Sequence, residues 1–388
     1  MPHVAAQIIE AMTSALTVAG IAYFIAVLVA VSLFERSRRA IHESFAPAMS
    51  ILKPLKGMDP GMLDGFRSHC QQSYRGSYEI IFGVGSLDDP AVAAVEQLMV
   101  EFPDRKIELV VCPEQLGANG KVSALVQMLP RASHDFLVIN DSDILVSAHY
   151  LERVAYQFYS PSAKRVGLVT TLYRGRSHGT LPSRLESLGI ATDFQAGVLL
   201  SRWIEGGMRF GLGSTLAIRR EALEAIGGLL PMIDHLADDY ELGARVHAAG
   251  YDVALASEVV ETRIPAYDWR SFMNHQLRWG RTVRDSRPGG YMGLIVTHGL
   301  AWGLLNVVAS GASPLSIWLL GMSFFLRLSM AMGVGAGVLG DHEVLPWLWL
   351  LPLRDCIHLG VWVMGFGGNM IEWRGERFRL DHGKLHRL

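Results

Sequence analysis

The stretch VINDSDI, residues 138–144, sets Asp141 and Asp143 on either side of one serine, directly after an apolar run. Such a pair suits a solvated turn, because Asp and Ser favour turns. It equally suits a divalent cation: Mg2+ and Mn2+ commonly bind through one or two carboxylates, with phosphate oxygens and water completing the shell. A D-x-D alone leaves both readings open. A second acidic pair, Asp88 and Asp89 in GSLDDP, follows another apolar run. A third cluster, Asp238, Asp239 and Glu241 in HLADDYELGARVHAAGY, opens a predicted helix, where acids suit the dipole. That is more negative charge than a cap needs, and a carboxylate there could serve as a general base. In SFMNHQLRWGRTVRD, residues 271–285, His275, Arg278 and Trp279 fall at i, i+3 and i+4 and so share a helix face. Arg281 and Arg284 add positive charge. This helix reads as a diphosphate clamp, since Arg binds phosphate oxygens bidentately, or as a basic helix on anionic lipid.

These residues need a scaffold, and the pattern supplies one. Short apolar strands are predicted at 48–55, 78–84, 107–111 and 136–140. Helices are predicted after 88 and at 121–129. Strands alternating with helices give an α/β fold with a parallel, doubly wound sheet. Ligands bind such sheets beyond the carboxyl ends of the strands. Two of the four predicted strands end there in paired acids. The chain carries no P-loop motif and no G-x-G-x-x-G after the first strand, which argues against dinucleotide and P-loop chemistry. GLG at 211–213 marks a close backbone approach to a ligand or a tight entry into a strand.

The chain is 388 residues long, 50% hydrophobic, with a formal net charge of −2, so no basic nucleic-acid footprint exists. Its three cysteines form no CxxC pair. Residues 11–34 lack any charge and can span a bilayer as one helix, followed at once by ERSRR. The positive-inside tendency then sets the chain after residue 36 in the cytoplasm. Residues 291–326 lack Asp, Glu, Lys and Arg, with GASP at 311–314 as a break. A further apolar zone, 344–371, carries PLRD at 352–355 as an interruption, and a basic tail ends the chain. The expected division is 1–44 (membrane helix and basic linker), 45–290 (α/β domain), 291–371 (membrane or interfacial helices) and 372–388 (cytoplasmic tail). Residues 291–371 supply two or three crossings. If tail and α/β domain share a side, the number of crossings is even, and one segment lies in the interface or re-enters. A loop at 160–164 is expected on the cytoplasmic side.

Taken in order, ILKPLKGMDP, SLDDPAV, INDSDI, GLGSTLAIRREAL, LADDYELG, HQLRW and WRGERFRL resemble membrane-bound glycosyltransferases of the GT-A type. The likeness is greatest to ceramide glucosyltransferases and bacterial hopanoid-biosynthesis glycosyltransferases. The resemblance implies a nucleotide-diphospho-sugar transferase domain flanked by transmembrane helices at both ends, facing the cytoplasm at a bacterial inner membrane. It implies inverting transfer of a hexose from a UDP-sugar to a hydroxyl of a membrane lipid, either glucose to ceramide or N-acetylglucosamine to a hopanoid. Asp88, Asp89, Lys121, Arg278 and Trp279 would bind the nucleotide-sugar, with His275 where the family's signature has Gln or Arg. Asp141 and Asp143 would hold Mn2+ or Mg2+, and Asp239 would be the base. A processive polysaccharide synthase would need more membrane helices than the C-terminal zone offers. A non-enzymatic membrane protein would not need the acid-studded α/β domain.

Overall fold

The computed structural model describes residues 2–37, 45–159 and 165–388. The loop at 160–164 and the linker arginines Arg38 and Arg39 lie outside the described residues. The chain forms two compact units, each assembled from separate stretches. One comprises Arg38–Arg176, Ile204–Pro265 and Phe378–Leu388; the other comprises Met1–Ser37, Ser177–Trp203 and Ala266–Arg377. The stretch expected as one domain over 45–290 is thus cut: 177–203 and 266–290 join the membrane helices. The reason is apolar surface. Leu185, Leu188, Ile190, Ala191, Val198 and Leu199 are all buried in the helical unit.

The first unit is built on a seven-stranded sheet in the order β3-β2-β1-β4-β6-β5-β7. The strands are β1 Met49–Pro54, β2 Tyr78–Val84, β3 Lys106–Val111, β4 Phe136–Ile139, β5 Val166–Arg176, β6 Leu216–Arg219 and β7 Asp252–Arg263. The first four are parallel, as the alternation with helices requires, and β6 runs antiparallel to both β4 and β5. β1 and β2 are almost continuously apolar because helices cover such a sheet on both faces. The Ala91–Glu101 helix buries Val92, Val95 and Leu98. The Gly120–Met128 helix starts where Asn119 accepts a hydrogen bond from the Val122 amide, an N-cap.

The tail is a hairpin, β9 Glu376–Asp381 and β10 Lys384–Arg387, and its end belongs to the sheet unit. The Leu385 amide donates to the Asp234 carbonyl at 2.7 Å, and the Leu236 amide to the Gly383 carbonyl at 3.0 Å. The hairpin therefore braces the chain that enters the acidic helix Asp238–Ala248.

In the helical unit four segments are long and apolar enough to cross a membrane: Val4–Ser37, Pro288–Ala309, Pro314–Val338 and His342–Gly365. PLRD does not interrupt the last of these. Pro352 sits in the first turn of the Leu351–Gly365 helix, where a missing amide costs nothing, and the preceding turn is a 3₁₀ segment, His342–Leu350. The N-terminal helix and Gly299–Ala309 meet backbone to backbone. A Cβ on Gly20 would lie 2.2 Å from the Gly299 Cα. Small residues allow this close approach, and Thr13 and Ser14 hydroxyls donating to Asn306 Oδ1 add interhelical bonds. Gly20→Leu is expected to destabilise the protein by about 1–3 kcal/mol through overpacking, read as a lower thermal midpoint in detergent.

Candidate functional site

The carboxyl ends of β1 and β4 and the start of the Asp238–Ala248 helix bring four acids and two lysines together in the sheet unit. Lys53, the one charged residue of β1, is completely buried and donates from Nζ to the Asp141 carbonyl at 2.9 Å. Burial pulls its pKa down to about 7, against the opposing pull of Asp143 and Asp141. Lys121, in the first turn of its helix, has Nζ 2.7 Å from Asp141 Oδ1 and 3.3 Å from Asp238 Oδ2. Burial works against its charge, but Asp141, Asp238 and Asp239 outweigh this and hold its pKa above the usual value.

Asp239 is fixed from two sides. The Gly213 amide donates to Oδ2 at 2.7 Å, and the Tyr240 amide donates to Oδ1 at 2.8 Å. Desolvation, then the charge of Asp238, push its pKa up to about 6. GLG at 211–213 is thus an approach of backbone to a carboxylate. A Cβ at Gly213 would sit 3.1 Å from Asp239 Oδ2 and 3.3 Å from Asp141 Oδ2, so the two acids flank one glycine. Asp143 accepts a hydrogen bond from the Thr262 hydroxyl. Burial, then Asp141, raise its pKa to about 6. Ser142, between the two acids, points the other way and donates to Asp59.

The donor set suits a divalent metal only with outside ligands. Among the described residues no group of three or more His, Cys, Asp or Glu side chains is set to hold an ion alone. Asp141 and Asp143 offer hard carboxylate oxygens, and Asp141 keeps 42% of its side chain open to solvent. The four acids outnumber the two lysines. Oxygen donors, surplus negative charge and an open side fit a divalent ion whose remaining ligands are phosphate and water.

The other expected residues divide. Asp89 is occupied by backbone: its carboxylate accepts from the Gly57 amide at 3.0 Å and the Ala91 amide at 2.9 Å, tying the loop after β1 to the helix after β2. Asp88 is exposed; among the described residues its carboxylate meets the Ser86 hydroxyl, which leaves it available to a ligand. His275, Arg278 and Trp279 lie on the Trp269–Ser286 helix of the helical unit but do not share partners. His275 Nδ1 lies 2.6 Å from Glu186 Oε1, and its ring packs on Tyr267 and Trp279. Arg278 instead lines a cavity with Asn274 and Arg281. Burial lowers its pKa without removing its charge.

Some polar partners at these sites have no local sequence signal. Thr262 reaches Asp143 from β7, and Asp59, in the loop after β1, accepts from the Ser142 hydroxyl between the two acids. The helical unit also hides an ionic network. Arg327, 1% exposed, donates to both Asp355 oxygens at 2.9 Å, to the Thr192 carbonyl at 3.3 Å and to Asp193; Arg354 Nη2 lies 3.3 Å from Asp193 Oδ2. Asp193 lies in a π-helical turn, Ile190–Phe194.

The family model described as "Glycosyl transferase family 21" matches residues 12–386. The chain belongs to that family. It is a sugar-transferring enzyme. Ceramide glucosyltransferase 3 of Caenorhabditis elegans is 23% identical over 383 residues, covering 91% of this chain and 77% of that protein. A beta-monoglucosyldiacylglycerol synthase of Trichormus variabilis is 24% identical over 233 residues, 58% of this chain and 48% of that protein. Among solved structures, a mannosyltransferase from Pyrobaculum calidifontis in complex with GDP-Man and Mn2+ superposes with a TM-score of 0.52 at 19% identity, over 92% of this chain and 99% of that one. That likeness carries the fold, the GT-A arrangement expected from the sequence. For the family 21 enzyme the close packing at Gly213 yields a test. Gly213→Ala is expected to displace both acids and cut kcat at least about tenfold with the fold retained by circular dichroism, because small misplacements of reacting groups are costly.

Proposed function

We propose that this family 21 enzyme moves a hexose, glucose by its relatives' names, from a UDP-sugar to a hydroxyl of an uncharged membrane lipid, with inversion at the anomeric carbon. The observation that carries this reading is Asp239: a half-buried carboxylate held by two backbone amides, raised to about 6, beside the acids of the D-x-D. A carboxyl group with that pKa is ionised at neutral pH yet basic enough to take a proton. Asp239 removes the acceptor's hydroxyl proton as that oxygen bonds to the anomeric carbon. The sugar–phosphate bond breaks and its electron pair leaves with UDP. No general acid is needed for a diphosphate leaving group, so one base suffices; glycosidases need an acid as well. Asp141 and Asp143 would hold a divalent ion, Mn2+ or Mg2+, which when bound neutralises charge on the diphosphate. Lys121 keeps Asp141 and Asp238 oriented. Asp88, Arg278 and Trp279 keep the donor-binding roles the resemblance implies, while Asp89 and His275, engaged by backbone amides and Glu186, serve more directly as supports.

Ceramide is favoured as acceptor by the relatives that span most of this chain, and diacylglycerol is the second reading, on the partial match to the cyanobacterial synthase. The hopanoid reading rests on the resemblance alone. The tail hairpin and the sheet domain form one unit, so both lie on one side of the membrane. Three full C-terminal crossings would separate them, and one of the three candidate segments therefore lies in the interface or re-enters.

Asp239→Asn keeps size and hydrogen-bond acceptance at Gly213. It is expected to lower kcat about 10²–10⁴-fold, with UDP affinity within about twofold of wild type. UDP release from UDP-glucose with ceramide or diacylglycerol in detergent measures this; near-native turnover in the variant would remove Asp239 from the mechanism. EDTA is expected to abolish activity and Mn2+ or Mg2+ to restore it, and full turnover in metal-free buffer would overturn the D-x-D assignment. Topology is tested at Val100, 81% exposed on the sheet unit. With the exposed Cys356 replaced by serine, Val100→Cys is expected to resist an impermeant thiol reagent in intact cells.

A further inference from the structure

Asn119 uses both ends of one amide group. Its Oδ1 accepts from the Val122 amide at 3.1 Å and caps the helix that carries Lys121. Its Nδ2 donates the other way, to the His235 carbonyl at 2.7 Å and to Asp238 Oδ1 at 3.4 Å. The residue is completely buried. A cap needs only an acceptor, which Ser or Asp supplies as well as Asn does. The donor is what the amide adds. It matters because, among the described residues, the acidic helix has no side-chain cap of its own: its N-cap residue is Ala237. Where Asp238 and Asp239 sit is therefore set by what grips the preceding residues, 233–236. The chain at 117–119 closes one edge of that segment. The Asn119 amide donates to the Ile233 carbonyl at 2.9 Å, and the Ala118 amide to Asp234 Oδ1 at 2.8 Å. Gly117 permits the approach, since a Cβ there would lie 2.5 Å from Ile233 Cγ1 and 2.8 Å from the Ile233 carbonyl oxygen. The tail hairpin bonds to the other edge, at Asp234 and Leu236.

We propose that Asn119 is a positioning residue for the transfer: its Nδ2 holds the start of the acidic helix in register with the helix of Lys121, and so fixes where the Asp239 carboxylate meets the acceptor hydroxyl. The inference rests on the reading of Asp239 as the base. Lys121 reaches Asp141 and Asp238, but through a flexible four-carbon stem that follows small movements. Asn119 is short and planar and is bonded at both ends, so it sets a distance. Without the donor, the carbonyl of the buried His235 loses its side-chain partner, and the segment gains by moving to another. Misplacing a reacting group by about 1 Å is enough to slow a reaction about 100-fold. The metal side does not have to follow such a movement, because Asp141 and Asp143 lie just past the end of β4 and Thr262 ties Asp143.

The full chain in detergent is compared with Asn119→Ser and Asn119→Ala, reading kcat for UDP release, UDP affinity with Mn2+ present, and the thermal midpoint. Ser keeps the cap and loses the amide donor; Ala loses both. Asn119→Ser is expected to lower kcat at least about tenfold with UDP affinity within about twofold of wild type, the split that marks an interaction serving the transfer rather than donor binding. Asn119→Ala is expected to match it in kcat, at a lower thermal midpoint. Wild-type kcat in Asn119→Ser beside a slow Asn119→Ala would make the residue a helix cap and overturn the proposal. A parallel loss of kcat and UDP affinity in Asn119→Ser would overturn it too, as a general disturbance of the site. Added to Asp239→Asn, Asn119→Ser is expected to change kcat by less than about twofold, because the group it positions is already gone; a full second loss would reject the inference. The two readings fail separately. Near-native turnover in Asp239→Asn rejects the base and the inference with it, whereas an inactive Asp239→Asn beside a fully active Asn119→Ser rejects the inference alone. Should Asn119→Ser fail to fold, Gly117→Ala decides, since it wedges the same edge and leaves the cap intact: a lower kcat at unchanged UDP affinity supports the proposal, and wild-type kcat overturns it.

Discussion

Like charge is the constraint on which the site depends. Asp141, Asp143, Asp238 and Asp239 converge where β4 ends and the acidic helix begins, and among the described residues Lys53 and Lys121 offset them. Three devices hold the four acids. Lys121 spans Asp141 and Asp238, Thr262 ties Asp143, and the Gly213 and Tyr240 amides fix Asp239. Burial first, and then the charge of a neighbouring acid, raise the proton affinity of Asp143 and Asp239. Both effects favour a cation at the D-x-D and a proton on Asp239, the two events that the transfer requires. The glycine at 213 is part of the same constraint, since any side chain there would press on two of the four acids.

The outline of this was legible because it is local. The parallel strands β1 to β4 follow from apolar runs, and their acidic ends follow from the rule that such sheets bind ligands there. The acidic helix, the Trp269–Ser286 helix and the break at GASP were equally readable from spacing and turn residues. Long-range pairings were not legible. Nothing near Asp143 announces Thr262, and nothing near Asp239 announces which glycine amide it meets. His275 and Arg278 share a helix face by spacing, yet Glu186 draws one aside and the cavity takes the other. The two-unit division was hidden for the same reason: residues 177–203 carry an amphipathic pattern that fits a soluble helix or a membrane-facing one.

Charge in the helical unit follows a different logic. Arg327, Asp355, Asp193 and Arg354 balance each other, so the network needs no outside ion, and it ties the π-helical turn at Ile190–Phe194 to the apolar helices. Charges buried among apolar helices are expensive and persist where they hold segments in one arrangement or serve a substrate. PLRD, read as a break, is the source of two of these residues.

Asp239 is assigned as the base, with its proton affinity raised by burial and further by its neighbour Asp238. The pH dependence of kcat/KM for lipid glycosylation tests both parts at once. A carboxylate base must be ionised, so activity is expected to rise with pH through about 6 in the wild-type enzyme, where Asp239 loses its proton. Removing the negative charge of Asp238 by Asp238→Asn is expected to move that rise to lower pH, because Asp238 is the main charge that raises Asp239. An acidic limb that stays at the same pH in Asp238→Asn, or that is absent from the wild type, would contradict the account.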